Sequence, residues 1–320
     1  MERAFAMDER GKSSSEDLRR ALAQGDAMLE GIGPIIGHLL SAPDHSLFSD
    51  EIVARVRGML ADLARQVLRT QAEATGQKGR DAFADRHGEA LAEHLQASSG
   101  LLLHCHALAI EWQLTEKLED QLGIDPVLAP LLQRLIADSD GTVSSAAMAA
   151  LAAQARFAQA QRRMELPLGE LPGDLLHELL LAWRRYCGET RSDAVARAEG
   201  KLRQSFDESS GRLALFARLV SSSSGTSRSA LAIEDAGAAL FLSALAERSG
   251  QTRELAILSS HARQTVRLAL GLRAAGLDAE QIDETLLRLH PGAAPVTGLE
   301  GIDQDTARGI LLASGHGTKR

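Results

Sequence analysis

Cysteine, aromatic residues and long apolar runs are all scarce in this chain, and each shortage removes a class of protein. Its two cysteines, Cys105 and Cys187, lie far apart inside apolar helical patterns, which argues against a disulfide framework and for a reducing, cytoplasmic compartment. Aromatic residues make up 3% of the chain, while alanine and leucine carry most of its 44% hydrophobic fraction. Strands draw on β-branched and aromatic side chains, so the expected fold class is all-α, with helices packed closely through small residues. The longest near-continuous apolar run, Leu101 to Ile110, is half a membrane span and is interrupted by His104 and His106, so no helix is expected to cross a bilayer. The opening MERAFAMDERGKSSSEDLRR carries acidic residues and no apolar core, against an export signal. A net charge of -8 repels phosphate backbones, and there is no aromatic platform for single strands, so no nucleic-acid partner is expected.

What is present is helical periodicity with clear punctuation. Residues 1–12 are charged and aperiodic and read as a mobile tail. Ser13 and Glu16 have the spacing of a capping box, opening a helix toward Leu40 that Gly31, Gly33, Pro34 and Gly37 should bend or split. Ile52, Val53, Val56, Met59, Leu60, Leu63, Val67 and Leu68 lay one apolar stripe along the next helix. Further helices are expected over 78–96, 101–122, 192–206 and 211–220, with another carrying Leu175, Leu176, Leu179, Leu180 and Trp183. The serine-rich run 221–229 reads as a linker between a domain over 13–220 and a smaller helical subdomain over 230–314, before a loose tail at 315–320. In that subdomain Gly250 and Gly276 supply helix stops, and Asp278 with Gln281 a capping box for a helix that must end before Pro291.

Between Asp125 and Arg163 two apolar faces, Val127 to Ile136 and Val143 to Leu151, flank the polar turn Asp138-Ser139-Asp140-Gly141, the pattern of an antiparallel αα-hairpin. The segment PLLQRLIADSDGTVSSAAMAALA resembles a HEAT repeat, although Ser144 stands where such repeats often carry arginine and no second copy recurs at a regular period. With ALFLSALAERSGQTRELAILSSHARQTVRLALGLRAAGL it resembles a family of uncharacterised alphaproteobacterial proteins with HEAT-like helices. That resemblance implies an architecture of packed helical hairpins and no catalytic residue.

Candidate chemistry is thin. His104 and His106 diverge by roughly 200° on a helix and cannot chelate one ion together, while His104 shares a face with Glu111. His87 and His94, beside Glu89 and Glu93, read as a solvated charged face. The glycines of 31–37 follow no strand, and Pro34 removes an amide that a phosphate would need. No catalytic, cofactor or metal site is therefore expected. Ser221 to Ser224 beside Arg218 and Arg228 would suit phosphorylation, although linker composition alone explains them. Arg156, Arg162, Arg163, Trp183, Arg184, Arg185 and Tyr186 form the expected partner surface, arginine and aromatics being enriched at interface hot spots; local ion pairing with Glu165, Glu170 or Glu178 is the plainer reading. The functional expectation is a non-enzymatic interaction or regulatory protein that binds another protein, with homo-oligomerisation left open. The alternative is a metal-dependent or other enzyme whose ligands, His104, His106, Glu111 and His177, converge from distant helices.

Overall fold

The computed structural model describes residues 2–41, 50–76, 78–188 and 193–314, of which 2–14 and 37–41 in backbone alone; Met1 and the expected tail 315–320 lie outside the described residues. Among the described residues the secondary structure is helical throughout, with no strand: α1 (Glu2–Glu30), α2 (Ile32–Ser41), α3 (Asp50–Ala74), α4 (Arg80–Leu95), α5 (Ser99–Leu122), α6 (Pro130–Ile136), α7 (Gly141–Arg162), α8 (Gly173–Cys187), α9 (Asp193–Ser205), α10 (Arg212–Ser221), α11 (Ser224–Ser229), α12 (Ile233–Ser249), α13 (Arg253–Ser259), α14 (Thr265–Ala275), α15 (Ala279–Leu289) and α16 (Gln304–Ala313). None is long and apolar enough to cross a membrane.

These helices form two compact units, each assembled from separated stretches of chain. The first comprises Met1–Gly31, Gln113–Ser139 and Phe216–Arg320, the second Ile32–Trp112 and Asp140–Leu215. The sequential division at a 221–229 linker is thus drawn elsewhere, because apolar stripes mark a buried face without naming the helix that covers it. Ser223 caps the short α11 by accepting from the Thr226 amide, so the serine run is largely helical rather than a free linker. Residues 2–12, expected as a tail, continue α1, and Ser13 falls inside that helix instead of capping it. The stretch has no proline and several good helix formers, which allows this.

In the second unit α3 is central and packs on α2, α4 and α9. Its stripe is buried from Ile52 through Val56, Met59, Leu60, Leu63, Val67 and Leu68 to Ala72. Another edge of α3 is polar and holds the end of α7. Arg55 donates to the Gln161 carbonyl (2.8 Å), Gln66 donates to the Leu166 carbonyl (2.9 Å), and the Leu166 amide donates to Asp62 (3.1 Å). Between them, a Cβ on Gly58 would stand 2.6 Å from the Met164 carbonyl oxygen, so only glycine lets this turn sit so close.

In the first unit α12 packs on α6, α11, α13 and α14, and α14 packs on α15, α16 and α1. The partner of α6 is thus α12, while α7, its expected hairpin partner, belongs to the other unit. Gly237 kinks α12 at φ 64°, ψ 176°, and a Cβ there would lie 3.0 Å from that of Ala129. The N-terminal helix is tied in from the far end of the sequence. Gln264 donates to the Gly25 carbonyl (2.9 Å), and the buried Arg267 bonds Asp26 and also Gln251 (2.8 Å) and Ser314 (3.1 Å).

Candidate functional site

The residues expected to form a partner surface do not share one fate. Trp183 is fully buried and its indole donates to Gln71 (3.2 Å), which corrects its placement on a surface. Its position on α8 sets it in the apolar stripe with Leu179 and Leu180, and the stripe goes inside. Arg184 binds Glu199 bidentately through its Nε and one Nη, and Arg203 joins them at 2.9 Å. These cations, Arg184 foremost, hold the Glu199 carboxyl down at about 2. Arg163 pairs with Glu165 (2.7 Å), while Arg156, Arg162 and Arg185 are exposed. Arg163 thus takes the expected local pairing with Glu165, and Arg184 pairs instead with Glu199 on α9, which sequence spacing could not indicate.

The alternative ligand set is not gathered either. His104 and His106 are buried in α5, and His177 is exposed on α8 with its Nδ1 3.3 Å from Arg203. Glu111 is occupied by Arg212, which grips it through two bonds of 2.6 and 3.1 Å. Both side chains are 1% exposed, and the guanidinium lies 3.6 Å over the Phe157 ring with Glu170 at 3.8 Å. Burial pushes the Glu170 carboxyl up, against the charge of Arg212, which lowers it. A pair this far from water meets no dissolved substrate; it fixes how α5, α7 and the start of α10 assemble within the second unit. Among the described residues no group of three or more His, Cys, Asp or Glu side chains is placed to hold a metal ion. Cys105 and Cys187 are free thiols, and burial pushes Cys105 up to about 12.

The feature best shaped to meet a partner is a cleft of about 670 Å³ between α3 and α4. The two helices are joined by a short turn at Gly76 and Gly79, both with positive φ, and lie antiparallel. Ion pairs Arg69–Asp81 and Arg80–Glu73, each 2.7 Å, pin that turn. The floor is built of Leu60, Ala61, Ala84, Gly88 and Ala92. Gly88 keeps the floor open, since a Cβ there would come into contact with the stem of Arg65 at 3.4 Å. Along the α3 rim stand Arg57 and Arg65; along the α4 rim stand Asp85, Glu89 and Glu93 at four-residue steps. The cleft is therefore small-floored with a basic rim facing an acidic one.

Sequence reading noticed Glu89 and Glu93 only as a solvated face. The signal that marks the cleft is the paired register on α4, small residues at 84, 88 and 92 beside acids at 85, 89 and 93. No protein-family model, curated protein or solved structure matches this chain.

Proposed function

We propose that this chain is a non-enzymatic interaction protein whose α3/α4 cleft receives one helix of a protein partner. The observation that carries the reading is the opposed charge of the two rims over a small-residue floor. Small residues let a third helix approach two antiparallel ones closely, and rim charges choose its orientation and register. The partner helix then carries acidic residues on the flank that meets Arg57 and Arg65, and basic residues about four apart on the flank that meets Asp85, Glu89 and Glu93. Apolar or small side chains lie between these flanks, as in other helix-in-groove complexes. Two free thiols and the lack of any disulfide among the described residues support a cytoplasmic workplace for it.

The test uses a photo-crosslinking residue at Ala61, inside the cleft, and a control at the exposed Met148. A partner crosslinked from native lysate at Ala61 alone, and lost on Glu89→Lys/Glu93→Lys, supports the reading, with the crosslinked peptide showing the two charged flanks. Crosslinking that survives this reversal and Arg57→Glu/Arg65→Glu alike would refute it. So would a partner that depends instead on Arg156 or Arg162.

A further inference from the structure

We propose that a second cavity, of about 410 Å³ in the first unit, is a receptor for a phosphoryl oxyanion. Its lining combines four hydroxyls, Ser221, Ser223, Ser224 and Ser227, with the guanidinium groups of Arg248 and Arg308 and the amide of Gln304. Arg218 and Arg228, the cations nearest these serines in sequence, are not part of that lining; the fold supplies others from α12 and α16.

Both arginines are held from behind. Arg248 donates its Nε to the Ala275 carbonyl (2.7 Å) and one Nη to the Ser227 hydroxyl (3.4 Å). Arg308 donates one Nη to the carbonyls of Arg248 and Ala274, each at 3.2 Å, and its other Nη stands 3.5 Å from Asp305. The neutral carbonyls fix both side chains, and the one carboxylate set against Arg308, Asp305, is almost fully exposed, so water screens that pair and leaves the guanidinium groups able to bind an anion, the preorganisation that makes oxyanion recognition effective. Ser223 is engaged locally with Thr226, at 2.9 Å between hydroxyls and 3.0 Å to its amide. Glu247 also lines the cavity, and two cations against this one carboxylate leave the lining net positive in a chain whose total charge is -8. Hydroxyls and guanidinium groups together present donors on several sides, which suits a tetrahedral dianion better than a planar carboxylate.

The same chemistry arrives from two sources: a dissolved phosphate monoester, or a phosphoserine of this chain. In the second case a kinase moves the γ-phosphoryl group of a nucleoside triphosphate onto a serine Oγ, the hydroxyl proton and the nucleoside diphosphate leaving.

The experiment titrates the full chain with inorganic phosphate to about 10 mM at constant ionic strength, following phosphorus NMR line width and thermal stability, where a Kd of about 1 mM gives a saturable response. Arg308→Gln should weaken Kd at least about tenfold. Ser221→Ala/Ser224→Ala, which removes only exposed hydroxyls, should weaken it about threefold and serves if the arginine variant does not fold. In the second arm the chain carries phosphoserine at residue 224. A rise in Tm that Arg308→Gln abolishes, with loss of phosphate uptake, identifies the internal source. Phosphate uptake without that rise identifies the dissolved ligand. No saturable response in either arm overturns the proposal, as does a response left intact by both the arginine and serine variants.

Discussion

Replacing Arg212 with methionine tests the core of the second unit most sharply. Methionine keeps much of the volume over Phe157 but takes the guanidinium away from the Glu111 carboxylate at 1% exposure, with Glu170 beside it. Breaking a buried ion pair from one side costs about 3–5 kcal/mol, since the remaining charge keeps its desolvation penalty and loses its partner. With a second carboxyl in the same pocket the upper half of that range is expected, about 4 kcal/mol at pH 7, or roughly 10 °C in Tm for a unit of this size. The pH dependence is diagnostic. Burial already raises Glu170, and Arg212 is the largest influence pulling it back, so its removal raises that carboxyl further. The folded variant then binds more protons than the unfolded one, and its stability falls as pH rises through the ordinary carboxylate range. The deficit against the parent protein should therefore shrink as the pH drops from 7 toward 5, measured by urea unfolding with circular dichroism. The double change Glu111→Leu/Arg212→Met should cost less than Arg212→Met alone, because a buried carboxylate deprived of its guanidinium is gone. A single-variant cost below about 1 kcal/mol, or a deficit that is flat with pH, would show that the pair is not sequestered as described.

Three further outcomes follow from other parts of the fold. The Glu199 carboxyl, held at about 2 chiefly by Arg184, contributes stability above the ordinary carboxylate range that is lost as the pH falls toward 2. Glu199→Gln should thus cost about 2 kcal/mol at pH 7 in urea unfolding and converge with the parent near pH 2, and parallel curves would refute the pairing. Gly237→Ala forces a side chain into a backbone region open almost only to glycine and against Ala129, and should lower stability by about 1–3 kcal/mol in a thermal melt. Native protein at pH 8 should react with a thiol reagent at Cys187 alone, slowly because burial also raises that thiol, whereas Cys105 should react only after unfolding; two equivalents consumed by the folded protein would contradict its burial.

The helices themselves were legible because their signals are local. Stripes on α3 and α8, the Asp278–Gln281 capping box of α15 and the glycine stops at 250 and 276 all depend on residues within a few turns of one another. The kink at Gly237 and the helix α16 escaped that reading. Gly237 lies among alanines, in a sequence that gives no sign of its close approach to Ala129 on a distant element, and α16 shows only a short stripe of Ala307, Ile310 and Leu311 behind its Asp303 cap.

The partition into units and the buried arginines were hidden for one shared reason. Arg212 and Arg267 sit beside apolar positions and look from sequence like the solvated edge of a helix; what buries them is a carboxylate 101 and 241 residues away. Such pairs carry the information that the apolar stripes lack. A leucine face accepts many partners at similar cost, but an arginine excluded from water tolerates only the helix that brings its acid. Asp26 thereby commits α1 to α14 across 241 residues of chain, and Glu111 commits the middle of α5 to the start of α10. If that is how the two units choose their helices, Asp26→Asn should loosen α1 specifically, raising amide exchange along 15–30 while leaving α3 protected, whereas Asp26→Asn exchange that rises evenly over both units would assign the choice to apolar packing instead.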